Sequence, residues 1–236
     1  MELGYLGWGD SGWADEFFRG ALMTVAVATC AFALSLVFGT AFAACKLSSS
    51  RLLRLIGDTY TTLLRGIPEL LVIYLVFFGG GALLAKIASG LFGYDGYVDV
   101  PVFAVGTFCI GLSAGGYSTE VIRGAVLAIP RGQIEAGQAV GMTRWLLFWR
   151  ILVPQAARFA LPGLGNVWQF SLKDTSLISV VGLVEIMRTA HLGAGSTKEP
   201  FTFYITAFLI FLVLAWLSQR LFLRAEAWAE RGVRRS

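Results

Sequence analysis

Residues Phe17 to Cys45 read FFRGALMTVAVATCAFALSLVFGTAFAAC, a run with Arg19 as its sole charge and apolar residues on every side. Roughly 20 mostly apolar residues cross a hydrocarbon core about 30 Å thick, so this run is long enough to span a bilayer. Its apolar residues are continuous and do not alternate with polar ones, which fits a helix and not a barrel strand. Four further windows have the same character: Leu70 to Ile87, Val102 to Ala128, Phe159 to Met187 and Phe201 to Leu223. Pro162, Gly163 and Gly165 interrupt the fourth, and a break is expected there. The composition agrees, with 56% hydrophobic residues, 14% charged residues and a mean hydropathy of +0.71. The expected fold is all-α: an integral membrane bundle of five transmembrane helices, with residues 1–236 forming one membrane domain.

Charge fixes the expected orientation, because short cytoplasmic loops collect Lys and Arg. Lys46, Arg51, Arg54 and Arg65 lie between the first and second windows, and Arg123, Arg131, Arg144, Arg150 and Arg158 around the interval between the third and fourth. Arg220, Arg224, Arg231, Arg234 and Arg235 close the chain. The opposite ends carry Glu2, Asp10, Asp15, Glu16, Asp95, Asp99, Glu185 and Glu199. Five spans then put the N-terminus outside and the C-terminus in the cytoplasm. The net charge of +4 is therefore a topology signal; with no basic cluster interleaved with exposed aromatics, no nucleic-acid partner is expected.

Several other readings lack necessary parts. Ala41 to Cys45, AFAAC, has the look of a lipoprotein cleavage site, but the segment before it is too long and begins acidic. Cys30, Cys45 and Cys109 have neither metal-ligand nor disulfide spacing and read as small apolar filler. His191, the one histidine, is expected in an outward loop without neighbouring metal ligands, so no metal site is expected. Gly79 to Lys86, GGGALLAK, lacks the Gly-Lys-Ser/Thr ending of a phosphate loop and reads as a glycine-rich helix end. No nucleophile, histidine and carboxylate set can be assembled. The chain is expected to have no catalytic residues and no cofactor of its own.

The longest inward interval, about residues 129–158, contains IEAGQAVGMTRWLLFWRILVP from Ile134 to Pro154. Pro130 and Gly132 punctuate the exit from the third window, and Glu135 is expected in the first turn of a short helix, Ile134 to about Val140, where a carboxylate complements the helix dipole. Gly141 ends that helix, since glycine tolerates left-handed geometry. A second amphipathic piece follows, placing Trp145, Phe148 and Trp149 against lipid headgroups or neighbouring helices while Arg144 and Arg150 reach water. These physical grounds leave open whether the segment docks a partner or merely turns the chain at the interface.

The spacing Glu135-Ala136, Gly141 six positions on, then Ile151 and Pro154, resembles the EAA loop of binding-protein-dependent ABC importer permeases. Gly137 replaces the usual second alanine and Val153 the usual leucine; glycine costs a helix interior up to about 1 kcal/mol relative to alanine, so a looser helix is expected. Tyr60 to Gly79, Gly116 to Gln133 and Leu161 to Leu183 are similar to the polar amino acid branch, and more narrowly to subunits serving histidine, basic amino acids and opines. The resemblance covers roughly Phe17 to Arg224. It implies a type I importer permease in a bacterial inner membrane, paired with a second permease subunit, preferably a different one. It further implies a pair of ABC subunits that bind ATP and Mg, and a periplasmic or tethered substrate-binding protein. Glu135, Ala136, Gly137, Ala139, Gly141, Ile151 and Pro154 would then couple the ATPase to the spans.

In the fourth window, Asn166, Gln169, Lys173 and Ser176 recur at helical intervals, with Asp174 and Thr175 beside them. Polar groups at membrane depth normally face the bundle interior or a wet cavity, so this stripe is a candidate substrate path. A Lys173–Asp174 pair, or contacts to a second permease, would explain it equally well. Glu69 and Glu120, near span ends, are expected to be structural. A self-sufficient carrier driven by an ion gradient is the competing function, although the five windows show no inverted repeat.

Overall fold

The computed structural model describes residues 5, 7–9, 12–80, 90 and 101–231, and every described regular element is helical. Helix α1 is Ala14–Leu47 and α2 is Arg51–Gly66; α3, Glu69–Tyr74, continues into a wider π-helical turn at Leu75–Gly79. Helix α4 is Val102–Leu127, α5 is Arg131–Ala139 and α6 is Arg144–Leu147. A second π-helical turn, Phe148–Leu152, joins α6 to α7 (Val153–Asp174), which tightens into a 3₁₀ segment, Thr175–Val181. Helices α8 (Ile186–Thr197) and α9 (Pro200–Ala229) complete the described chain.

Helices α1, α4 and α9 are each long and apolar enough to cross a membrane. Two bent pairs raise the number of candidate spans to five if each is one span: α2 with Glu69–Gly79, bent by 103°, and Arg144–Val181 with α8, bent by 47°. The first bend has a local cause. Ile67 precedes Pro68 and is driven to extended backbone, φ −98° and ψ 136°, which stops α2; Pro68 in turn leads α3. Residues 81–87 of the second expected window, with Lys86 of the glycine-rich stretch, lie outside the described residues.

Helices α1 and α4 form the most extensive helix pair, through small residues on both sides. Ala28, Ala31, Ser35, Gly39 and Ala43 of α1 are buried, as are Gly106, Gly111, Ser113, Gly115 and Ser118 of α4. Lipid tails are as apolar as leucine, so close backbone approach rather than hydrophobic expulsion holds such a pair. A Cβ on Gly39 would stand 2.5 Å from Ser118 Cβ, and the Ser35 and Ser118 hydroxyls meet at 3.2 Å. Around this seam Val27, Ile73, Cys109, Ile110 and Ile178 make one apolar cluster, and Phe17, Ile186, Ala190 and Phe203 make a second. Outward residues such as Phe18, Val37, Phe208 and Trp216 remain exposed, as on a lipid-solvated surface.

Four expectations are corrected. Pro162 does not break the fourth window: α7 runs through it from Val153 to Asp174, and the direction changes later, between Val181 and Ile186, where Gly182 has a φ of +101°. His191 belongs to α8 and not to a loop, with Nδ1 3.3 Å from the Tyr204 hydroxyl. The basic stretch after α1 is not loop but the amphipathic helix α2, buried through Gly57, Tyr60 and Thr61. Finally, α5 starts at Arg131, so Glu135 is its fifth residue, beyond the first turn where the helix dipole acts most strongly.

Candidate functional site

The segment between α4 and α7 folds as two short helices braced against each other. Helix α5 follows Pro130, whose fixed φ of −59° and missing N–H suit a helix entry. At its other end the Gly141 N–H donates to the Gln138 carbonyl at 2.9 Å and the Met142 N–H to the Gly137 carbonyl at 3.0 Å. These two bonds form a Schellman motif, which needs a left-handed residue at Gly141; its φ is +80°. The expectation that Gly141 terminates the helix is met. Thr143 then starts α6: its Oγ1 accepts from the Leu146 N–H at 3.3 Å.

The two halves of the Glu135-to-Pro154 pattern touch at Gly137. That glycine is buried, and a Cβ there would lie 2.5 Å from Leu147 Cδ2 and 2.9 Å from Ile151 Cδ1. Gly137 is thus the seat on which Leu147 and Ile151 pack. A second tie joins α5 to α7, where Gln155 Nε2 donates to Gln133 Oε1 at 2.5 Å. Thus α5 is held on its inner side, whereas Glu135, Ala136, Gln138 and Ala139 are exposed and Val140 is 74% exposed. Beside it Trp145, 70% exposed, meets Trp149 at 5.5 Å, and Phe148 meets Trp149 at 5.2 Å, forming an exposed aromatic trio. Such a capped, braced helix with a bare outer face presents a rigid contact surface. Pro154 follows at the second position of α7.

The residues of the expected stripe meet different neighbours within this chain. Asn166 is exposed, and Gln169 Nε2 donates to the Ala215 carbonyl of α9 at 3.1 Å, clamping two helices. Thr175 is fully buried, with its hydroxyl donating to the Leu172 carbonyl at 2.8 Å, and the Ser176 hydroxyl donates to the Lys173 carbonyl. Lys173 Nζ lies 5.1 Å above the Phe170 ring and, with Ser176, lines a cavity of about 290 Å³ against Tyr204 and Phe208. The Asp174 carboxyl instead faces Glu69 of α3. Lys173 thus borders this cavity, while Asp174 neighbours both Glu69 and the Lys173 charge.

A polar knot that sequence reasoning did not assemble lies at the C-terminal ends of α1 and α4. Lys46 Nζ contacts Glu120 Oε1 at 2.5 Å, Asp58 Oδ1 at 2.9 Å and Thr61 Oγ1 at 2.9 Å, and Arg123 Nε contacts Glu120 Oε2 at 3.0 Å. The available signal was Glu120, an acid among the arginines of a basic end. Its structural role matches expectation. Arg65 lies 5.4 Å over the Tyr117 ring at the edge of a cavity of about 380 Å³ beside this knot.

Known proteins resemble the chain along nearly all of its length. The profile of the family described as binding-protein-dependent transport system inner membrane component matches residues 35–227. The chain is 67% identical over 234 residues to a nopaline transport system permease protein of Agrobacterium fabrum, covering 99% of each chain. It is 52% identical over 236 residues to an octopine transport system permease protein of Rhizobium meliloti, again covering 99% of each. A solved structure described as an amino acid ABC transporter with histidines superposes with a TM-score of 0.77 at 27% identity, covering 91% of this chain and 94% of that one. With its braced short helix and its all-helical membrane fold, the chain belongs to the family of binding-protein-dependent transport system inner membrane components, the permeases of ABC importers.

Proposed function

We propose that residues 1–236 form a single permease domain that imports an opine or a polar amino acid, with an opine preferred and nopaline the first to test. The 67% identity to a nopaline permease supports that order over histidine or a basic amino acid. In this reading the domain spans the inner membrane five times, N-terminus outside and C-terminus in the cytoplasm; the basic residues around α2, α5 and the end of α9 support it. Its partners are a sister permease subunit, a pair of ABC subunits that hold ATP and Mg, and a substrate-binding protein.

The observation that carries the reading is α5: capped at Gly141, seated through Gly137 on Leu147 and Ile151, and bare along Glu135, Ala136 and Ala139. A helix so held passes displacement to α7 without bending, so closure and separation of the ATPase pair bias the outward-facing and inward-facing states of the spans. Asp174, which lies against Glu69, offers one carboxyl as counter-charge for a cationic group of the substrate.

Proteoliposomes holding the complete complex test this. ATP-dependent, vanadate-sensitive uptake of nopaline is expected, and Gly141→Trp is expected to abolish uptake while leaving the ATPase unstimulated by the loaded binding protein. Full uptake and stimulation in Gly141→Trp would refute the coupling role. Uptake driven by a sodium or proton gradient without nucleotide would establish the carrier reading instead.

A further inference from the structure

A groove of about 730 Å³ opens between the start of α7 and the end of α9, on the side of the molecule that carries α5. Its walls combine apolar and cationic groups: Pro154, Leu161 and Ala225 line it together with Arg158, Trp228 and Arg231. None of the described residues that line it is acidic.

Its depth follows from helix lengths. At 1.5 Å per residue the 30 residues of α9 measure about 45 Å, well over the roughly 30 Å of a hydrocarbon core. The apolar window of α9, interrupted by Ser218, Gln219 and Arg220, closes at Leu223, so Trp228 and Arg231 stand beyond it on the headgroup side. Arg158 immediately precedes Phe159, where the apolar part of α7 begins, and so lies at the same level from the other wall. Trp228 is 69% exposed, the amphipathic ring expected at a membrane interface. Two arginines at phosphate height beside apolar lining residues complement one ligand chemistry: a phosphate monoanion carrying hydrocarbon tails.

We propose that this groove is a binding site for an anionic phospholipid of the leaflet next to α5, with Arg158 and Arg231 on the phosphate and an acyl chain along Leu161 and Ala225. Because Pro154 is shared between the groove and the loop that carries α5, the bound lipid braces the root of that loop. The inference concerns the permease itself and is independent of what is transported.

The test is native mass spectrometry of the assembled complex, exchanged into detergent with equal phosphatidylglycerol and phosphatidylcholine. Wild type is expected to retain phosphatidylglycerol selectively. Retention is expected to fall about fivefold for each arginine replaced in Arg158→Gln and Arg231→Gln, and to return with Arg158→Lys and Arg231→Lys. Wild-type complex that retains the two lipids equally would overturn the proposal whether or not the variants assemble. So would undiminished phosphatidylglycerol in the double glutamine variant, or loss of the ATPase subunit from that variant with lipid retention unchanged, which would assign the groove to a protein partner.

Discussion

Gly137 and Glu185 each take their role from packing that a single residue does not announce. From sequence, Gly137 is a weak point in a short helix; in the fold it is the place where Leu147 and Ile151 approach α5. The atoms that a Cβ would meet are the ends of two flexible side chains, which rotate away at small cost, and alanine also favours the helix. Gly137→Ala is therefore expected to keep ATPase stimulation within about twofold of wild type, whereas Gly137→Phe, which cannot fit the seat, is expected to lose it. ATPase assays of the reconstituted complex decide between them. Glu185 is fully buried at the head of α8, where its Oε1 accepts from the Arg188 N–H at 2.8 Å and Thr24 Oγ1 approaches the Ile186 N–H at 3.5 Å. Glu185→Ala leaves that buried helix start short of an acceptor, at a cost of about 2 kcal/mol. Glu185→Gln keeps an acceptor, so its thermal unfolding midpoint in detergent should fall less than half as far.

Among the elements, α1 and α4 meet through small residues along their length and through charge at their ends. Lys46, with only 11% of its side chain exposed, is held by Glu120, Asp58 and Thr61 and thereby ties α1 to α4 and α2. Removing one member of a partly buried ionic cluster costs more than removing two, because the remaining charge loses its partner without regaining water. Lys46→Met is expected to destabilise the complex by about 2 kcal/mol, and Lys46→Met with Glu120→Gln by clearly less; Asp58, 61% exposed, stays solvated in both. Equal losses in the single and double variants, read from thermal unfolding, would show that the knot is not coupled.

The legible part of the sequence was what composition and periodicity encode locally. The apolar windows at Phe17 and Val102 gave α1 and α4 within a few residues, and Gly141 marked the end of α5. Contacts that depend on tertiary proximity were not legible. Nothing near Pro162 announces that α7 continues through it, because in a bundle neighbouring groups accommodate a proline. Nothing near Gln169 announces its bond to the Ala215 carbonyl, 46 residues away, which ties α7 to α9. The amphipathic character of α2 was written in Arg51 to Arg65, yet charge counted for topology hid the helix.

At the scale of the whole molecule, one asymmetry has to hold: α5, the end of α9 and the ion knot of α1 and α4 must share one side of the membrane. Val140 is the best reporter, being 74% exposed on the C-terminal shoulder of α5 and free of side-chain duties there. Cys30, Cys45 and Cys109 are first replaced so that they cannot report. Val140→Cys in that background is expected to react with a membrane-impermeant maleimide in inside-out vesicles and to be silent in intact cells. Adding the ATPase subunit to inside-out vesicles stripped of it should protect the thiol, since the bare face of α5 is then covered. Labelling from the outside would invert the topology and remove the ATPase from reach of α5; labelling from the inside without protection would keep the topology and move the contact elsewhere, with the Trp145–Phe148–Trp149 trio the next surface to probe.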